Sequence, residues 1–167
     1  MLFRTLSLAA ALLLSDLSQA HEGHNHSHHE MHKELMVTDA KIRTFLPTAK
    51  STAAYFTIHN PTDKLVSLKK ATIRGIGRVE IHKHVHKDGM MKMQQVDLVE
   101  VPAHQQVVFQ PGGFHLMAFE PDATLKVGEK RKLTLYFDNG DRLYSFVEVV
   151  SLKDSFEKKA HSHHNHH

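Results

Sequence analysis

The sequence predicts an all-β domain, a sandwich or a barrel. Short runs rich in Val, Ile, Tyr, Phe and Thr recur along the chain, several with apolar and polar residues alternating. Turn signals fall between them, the strongest being Asp88-Gly89 and Asn139-Gly140. No stretch carries a convincing helical period, Phe156 to Ala160 being a weak exception. Many short strands with turn residues between them are the pattern of a sandwich or barrel.

Ala53 to Ile58 reads as a strand and is followed by the turn signal Asn60-Pro61-Thr62-Asp63. Leu65 to Ile73 forms another, closed by Gly75 and Gly77. From Val79 to His86 the residues alternate. Val79, Ile81, Lys83 and Val85 share one face; Glu80, His82, His84 and His86 share the other. Asp88-Gly89 turns the chain, and Met91 to Val99 returns as the next strand. Pro102 interrupts pairing before Gln105 to Phe109 resumes it. Pro111-Gly112-Gly113 makes a tight turn ahead of Phe114 to Phe119. Lys132 to Phe137 and Leu143 to Val150 flank the Asn139-Gly140 hairpin.

Four segments are expected. Residues 1–20 read as a secretory leader: Arg4 is the positive end, Leu6 to Leu14 the apolar run, and Ser18-Gln19-Ala20 a small-x-small cleavage site. The apolar run is too short to span a bilayer, which takes about 20 residues, so no stable membrane insertion is expected. Residues 21–34 are His-rich and poor in large apolar groups, residues 35–152 form the β domain, and residues 153–167 form a His-rich tail. Both His-rich segments are expected to be disordered. The formal charge of +3 is spread over both signs, and the few aromatics do not interleave with a basic run, so nucleic-acid binding has no support. No nucleophile motif, phosphate loop or paired-carboxylate signature stands out, and the chain reads as a carrier rather than an enzyme.

The composition points to metal. Seventeen of the 167 residues are His and none is Cys. Histidine is the commonest metal ligand, and short His-rich tracts read first as metal-binding segments. In an oxidising compartment a thiol tends to be captured as a disulfide. Soft coordination in an exported chain then falls to Met, whose thioether selects Cu(I). Two imidazoles and two thioethers stand out: His82, then Met93 after ten residues, His115 after twenty-one more, and Met117 after one. His82 and Met93 lie on the two arms of the Asp88-Gly89 hairpin, and His115 and Met117 share a face near a strand end. An electron-transfer cupredoxin is disfavoured, because its blue-copper site needs a Cys thiolate.

That spacing, H-x10-M-x21-H-x-M, resembles the periplasmic copper chaperones called PCuAC. Further matches are Ala53-Ala54-Tyr55-Phe56 with Ile58 and Asn60, Val79-Glu80-Ile81-His82, Asp88-Gly89-Met90-Met91-Lys92-Met93 and Pro111-Gly112-Gly113-Phe114-His115-Leu116-Met117. The resemblance covers roughly residues 37–151. It implies a cupredoxin-like Greek-key β-sandwich or barrel that binds Cu(I) through His82, Met93, His115 and Met117. It implies a periplasmic location, in keeping with the leader read above, whose own cleavage signal places the cut after Ala20. It also implies delivery of copper to cytochrome oxidase, the partner being a copper-accepting oxidase subunit or a thioredoxin-like copper assembly protein. Family members with a His/Met-rich C-terminal extension can use it for Cu(II). The tail here resembles such an extension but lacks Met, and the N-terminal His tract is an addition. Delivery, storage and scavenging therefore all stay open, and a periplasmic copper or zinc buffer or resistance protein is the alternative reading.

A secondary ligand set for Cu(II) comprises His21, His24, His26, His28 and His29 at one end and His161, His163, His164, His166 and His167 at the other. His21 would add an α-amino group beside its imidazole if cleavage follows Ala20. The C-terminal tract reads either as a native segment or as an affinity tag, and its interruptions Ser162 and Asn165 favour the first. His84 and His86 share the face of His82, as solvated residues or as secondary ligands. Met90 and Met91 read as loop residues or as an alternative thioether, and His59 and His104 carry no special signal.

Overall fold

A computed structural model describes residues 34–87 and 89–154. The leader, the N-terminal His tract and the C-terminal tail beyond Asp154 lie outside the described residues.

Ten strands run in the order β1 (Met36–Arg43), β2 (Ser51–Asn60), β3 (Val66–Ile73), β4 (Ile76–Lys87), β5 (Met90–Gln95), β6 (Val99–Val101), β7 (Gln105–Phe109), β8 (Phe114–Pro121), β9 (Lys130–Phe137) and β10 (Arg142–Val150). They pair in the spatial order β5-β4-β8-β7-β2-β1-β10-β9-β3-β6, with β8 also pairing directly to β2. The ladder curls on itself, so that β3 lies against β4 and β6 against β2 and β7. Most pairs are antiparallel, but β1 runs parallel to β10. No helix among the described residues is long and apolar enough to cross a membrane.

Alternation explains the core. In β2 every second residue is buried: Thr52, Ala54, Phe56, Ile58 and Asn60. Of these, Ala54, Phe56 and Ile58 meet Ile81, Leu116, Ala118, Leu133, Leu135, Phe137, Val147 and Val149 in one apolar cluster. Phe56 stacks on Phe109 at 4.2 Å between ring centroids. Asn60 closes the end of this layer. Its Nδ2 donates to the carbonyls of Lys64 (2.8 Å) and Val101 (2.9 Å), and its Oδ1 accepts from the Thr62 backbone N–H (3.1 Å). A buried polar group is tolerated when its bonds are made in this way.

The expected strands are present, with three differences. Met91 to Val99 is not one strand. Val96 still donates to the Ile81 carbonyl at 2.9 Å, but the chain then leaves the hairpin, and Val99–Val101 pairs with β3. Burying Val99 and Val101 in the core outweighs extending the exposed edge strand. The strand expected from Val79 starts at Ile76, and Gly77 lies inside it rather than in the turn. Strand β1 has no counterpart among the expected elements. Its register shifts between Thr38 and Lys41, around Asp39 at φ +54°, and that bulge interrupts the period-2 pattern.

Candidate metal centre

The inner faces of β4 and β8 set the frame. Ile81, Leu116 and Ala118 point into the core, so Glu80, His82, His84 and His86 on β4, and His115 and Met117 on β8, occupy the outer face. A one-residue slip would bury the histidines and expose the leucine, so the register is strongly specified. His82 pairs directly with His115, and Glu80 with Met117. Met117 also pairs with Ala53 of β2, whose small side chain leaves room beside the thioether. Lys87 pairs with Met90, so the chain reverses between them, with Gly89 at φ +73°. That hairpin brings β5 alongside β4.

The four spacing-selected side chains therefore share one face of three adjacent strands. Their order across it differs from a simple reading of the hairpin. Met93 pairs with His84, while His82 pairs with Gln95, so the first two donors are diagonal neighbours. Burial is graded. His115 is only 3 % exposed, His82 and Met117 are half-buried, and Met93 on the edge strand is 56 % exposed.

The hydrogen bonds fix the free nitrogens. His115 Nδ1 lies 3.2 Å from the Gly113 carbonyl oxygen, which can only accept, so Nδ1 carries the proton and Nε2 the lone pair. His82 Nε2 lies 2.8 Å from Glu80 Oε2. The hydrogen bond from His82, and then the nearby Arg78 guanidinium, hold the Glu80 carboxyl below its usual range despite some opposing desolvation. It is an acceptor at neutral pH, so His82 Nε2 donates and Nδ1 is left free. That Nδ1 is buried without a hydrogen-bond partner. A ligating imidazole whose other nitrogen donates to a carboxylate or a carbonyl is the usual outer-shell arrangement of metal sites. Burial, with the neighbouring His84 and His82 adding to it, pushes the His115 imidazole below its ordinary 6.5, and the bond to Gly113 offsets only part of this. A neutral imidazole is the form that binds a metal.

Glu80 was not singled out from the sequence as a functional residue. Its signal was present, as an acid two residues before His82 on the same strand face. His84 lies closer to the site than a solvated surface residue would. Its ring centroid is 5.0 Å from that of His115, against 5.9 Å for His82. His86 is exposed and pairs with Met91, and Met90 and Met91 belong to β5 rather than to a loop. His59 and His104 have partners elsewhere, Thr38 Oγ1 at 2.9 Å and Asp63 Oδ1 at 2.8 Å. Among the described residues no three His or carboxylate groups already form a cage for an ion, so a metal here depends on the thioethers or on ring rotation. The terminal candidates His21, His24, His26, His28, His29, His161, His163, His164, His166 and His167 lie outside the described residues.

A family model described as "Putative lipoprotein LpqE-like" matches residues 35–149, well over half of the chain. The chain belongs to the LpqE-like family. This LpqE-like chain is 28 % identical over 129 residues to "Uncharacterized protein RP573" of Rickettsia prowazekii (strain Madrid E), covering 71 % of each. Among solved structures it is similar to Cu(I)-DR1885 from Deinococcus radiodurans, with 28 % identity, a TM-score of 0.57, and 68 % of this chain and 76 % of that one covered. The copper-bound PCuAC domain from PmoF2 superposes with a TM-score of 0.58 at 18 % identity, over 70 % of this chain and 92 % of that one. The LpqE-like chain thus has the cupredoxin-like β fold of PCuAC domains, as the resemblance of its motifs implied.

Proposed function

We propose that this LpqE-like protein is an exported copper carrier that holds Cu(I) through His82, Met93, His115 and Met117 and passes it to an acceptor in cytochrome oxidase assembly. One observation carries the reading. The registers of β4, β5 and β8 gather two imidazoles with free nitrogens and two thioethers on one face, graded from buried His115 to exposed Met93. Imidazole and thioether are neutral donors suited to Cu(I), and they leave the bound ion at a net charge of +1. The similarity to Cu(I)-DR1885, and the fold shared with the copper-bound PmoF2 domain, support it. The leader-like residues 1–20 and the lipoprotein description of the family support export.

The burial gradient gives the carrier its direction. His115 anchors the ion from a buried position, and Met93 on the exposed edge strand is the donor an acceptor reaches first. Replacing Met93 by an acceptor's ligand, and then the deeper donors in turn, moves copper without ever leaving it bare. The His tracts outside the described residues would capture Cu(II) and raise the local copper concentration, a tether supplying an effective concentration on the order of mM.

X-ray absorption on the full chain loaded with one equivalent of Cu(I) tests the site. Mixed sulfur and nitrogen scattering, with sulfur lost in the Met93→Ala, Met117→Ala double variant, supports the four-ligand site. Nitrogen and oxygen scattering alone would sink it and return the function to buffering by the His tracts. Transfer tests the role. A carrier loads an apo-oxidase copper domain faster than free copper at matched activity, and equal rates would favour a copper or zinc buffer.

A further inference from the structure

We propose that His84 is a third imidazole of this centre, and that with His82 and His115 it lets the folded domain hold Cu(II) as well as Cu(I). The inference rests on the reading of this face as a copper site and extends it to a second oxidation state.

Three observations converge on His84. It is the direct cross-strand partner of Met93, so an ion touching that thioether lies within reach of this ring. Its ring stands 5.0 Å from that of His115, at an interplanar angle of 35°. A metal–imidazole bond of about 2 Å places a ring centroid about 3 Å from the ion, so two rings on one ion stand roughly 4.5–6 Å apart. The His84–His115 and His82–His115 separations of 5.0 and 5.9 Å both fall in that interval. Finally, His84 Nδ1 is buried and has no hydrogen-bond partner, as is His82 Nδ1. Buried polar atoms are nearly always satisfied, and two orphaned imidazole nitrogens beside a third, buried imidazole mark a place for a shared ligand.

The donors then form two overlapping sets. Met93 and Met117 with imidazole suit Cu(I), whereas three imidazoles suit Cu(II), which accepts nitrogen readily and thioether poorly. Both sets include His115, so Cu(I) and Cu(II) would be held around one shared anchor. The rings do not yet surround an ion in this structure. Closing on one requires side-chain movement around the His82–Glu80 pair, which stays in place, and His84 is half-buried rather than locked in the core.

The experiment is a Cu(II) titration of the full chain, carried past saturation of the terminal His tracts and read by paramagnetic broadening of the Ile81 and Leu116 amide resonances. Those amides lie beside the centre, so copper held on the tracts is read separately. Cu(I) affinity is measured in parallel by competition with a Cu(I) chelator. The variants are His84→Phe, which keeps a ring against His115 but no nitrogen, and the Met93→Leu, Met117→Leu pair. Wild type should broaden at both amides. In His84→Phe the Cu(II) affinity should fall, relative to its Cu(I) affinity, by at least about tenfold, the lower end of what loss of even an outer-shell partner does. The double Met variant should keep its Cu(II) broadening while losing Cu(I). Broadening in His84→Phe equal to wild type, or none in wild type once the tracts are filled, overturns the inference. Cu(I) affinity unchanged in the double Met variant would instead overturn the four-ligand reading, a separate outcome.

Discussion

Glu80 Oε2 accepts a hydrogen bond from His82 Nε2 at 2.8 Å, and so decides which nitrogen of His82 is offered to a metal. The same carboxylate is held by Arg78, which stacks its guanidinium 3.9 Å over the Phe119 ring. The acid is thereby fixed between two partners, and the imidazole is fixed by the acid.

Replacing Glu80 with Gln should therefore weaken copper without removing a ligand. The amide can present a donor to Nε2 and invite the wrong tautomer. The expected loss in Cu(I) affinity is about 10- to 100-fold, the range for outer-shell partners of ligating histidines. Chelator competition measures it. An affinity equal to wild type would mean that His82 is oriented by something other than this carboxylate.

The thioethers can be tested apart from the fold. Met93 is exposed, and Met117→Leu keeps volume, so the double Leu variant should lose less than about 1.5 kcal/mol of stability. Its Cu(I) affinity should fall on the order of a hundredfold or more, at or beyond the upper end for outer-shell losses. Urea unfolding and chelator competition on the same sample separate the two effects. Affinity and stability falling together would point to a packing role instead.

His115 should make the apo-protein lose stability in mild acid. Burial holds its folded pKa below the ordinary 6.5, while in the unfolded chain it titrates near that value. Above 6.5 both states are neutral and the contribution is fully present. As pH falls from there toward the folded value, the unfolded chain takes up a proton that the folded one refuses, and stability drops. Below the folded value this group adds no further slope. Urea midpoints at about pH 7.5 and about pH 5.5 should differ more for wild type than for His115→Gln. Equal differences would assign the acid sensitivity to other groups.

Leu116 lies between His115 and Met117 on β8, pointing the other way, and is fully buried. Leu116→Ala should cost about 2–5 kcal/mol, the span for buried leucines. Because its packing sets the register of His115 and Met117, copper affinity should fall with it even where the protein remains folded. Thermal unfolding of the apo and Cu(I)-loaded forms checks this. A destabilised variant with undiminished copper affinity would show that the donors hold their places without the core beneath them.

Much of this was legible in the residues. The alternation from Val79 to His86 and the reversals between Lys87 and Met90 and at Asn139-Gly140 could be read because each is local: side-chain period and turn chemistry act over a few residues. Strand β1 could not, since its parallel pairing with β10 is set by packing far away in sequence and its bulge breaks the pattern. The departure of Val99–Val101 to β3 is likewise a choice made by the core. At the site, residue type and spacing picked out the candidate donors, but the offset that pairs Met93 with His84 depends on where Lys87 and Met90 close the hairpin. The role of Glu80 needed coordinates, because an acid two residues from a histidine is common and only the 2.8 Å contact distinguishes it.

The edge strand that makes Met93 reachable also leaves it unguarded. Met90, Met91 and Met93 are each more than half exposed on β5. Where peroxide is present, a thioether exposed enough to pass a metal on is also exposed enough to become a sulfoxide, a polar group that no longer serves as a soft ligand. A bound copper ion would occupy one of the sulfur's two lone pairs and make the other less nucleophilic. The loaded protein should therefore outlast the empty one, and each spell without cargo should shorten its working life.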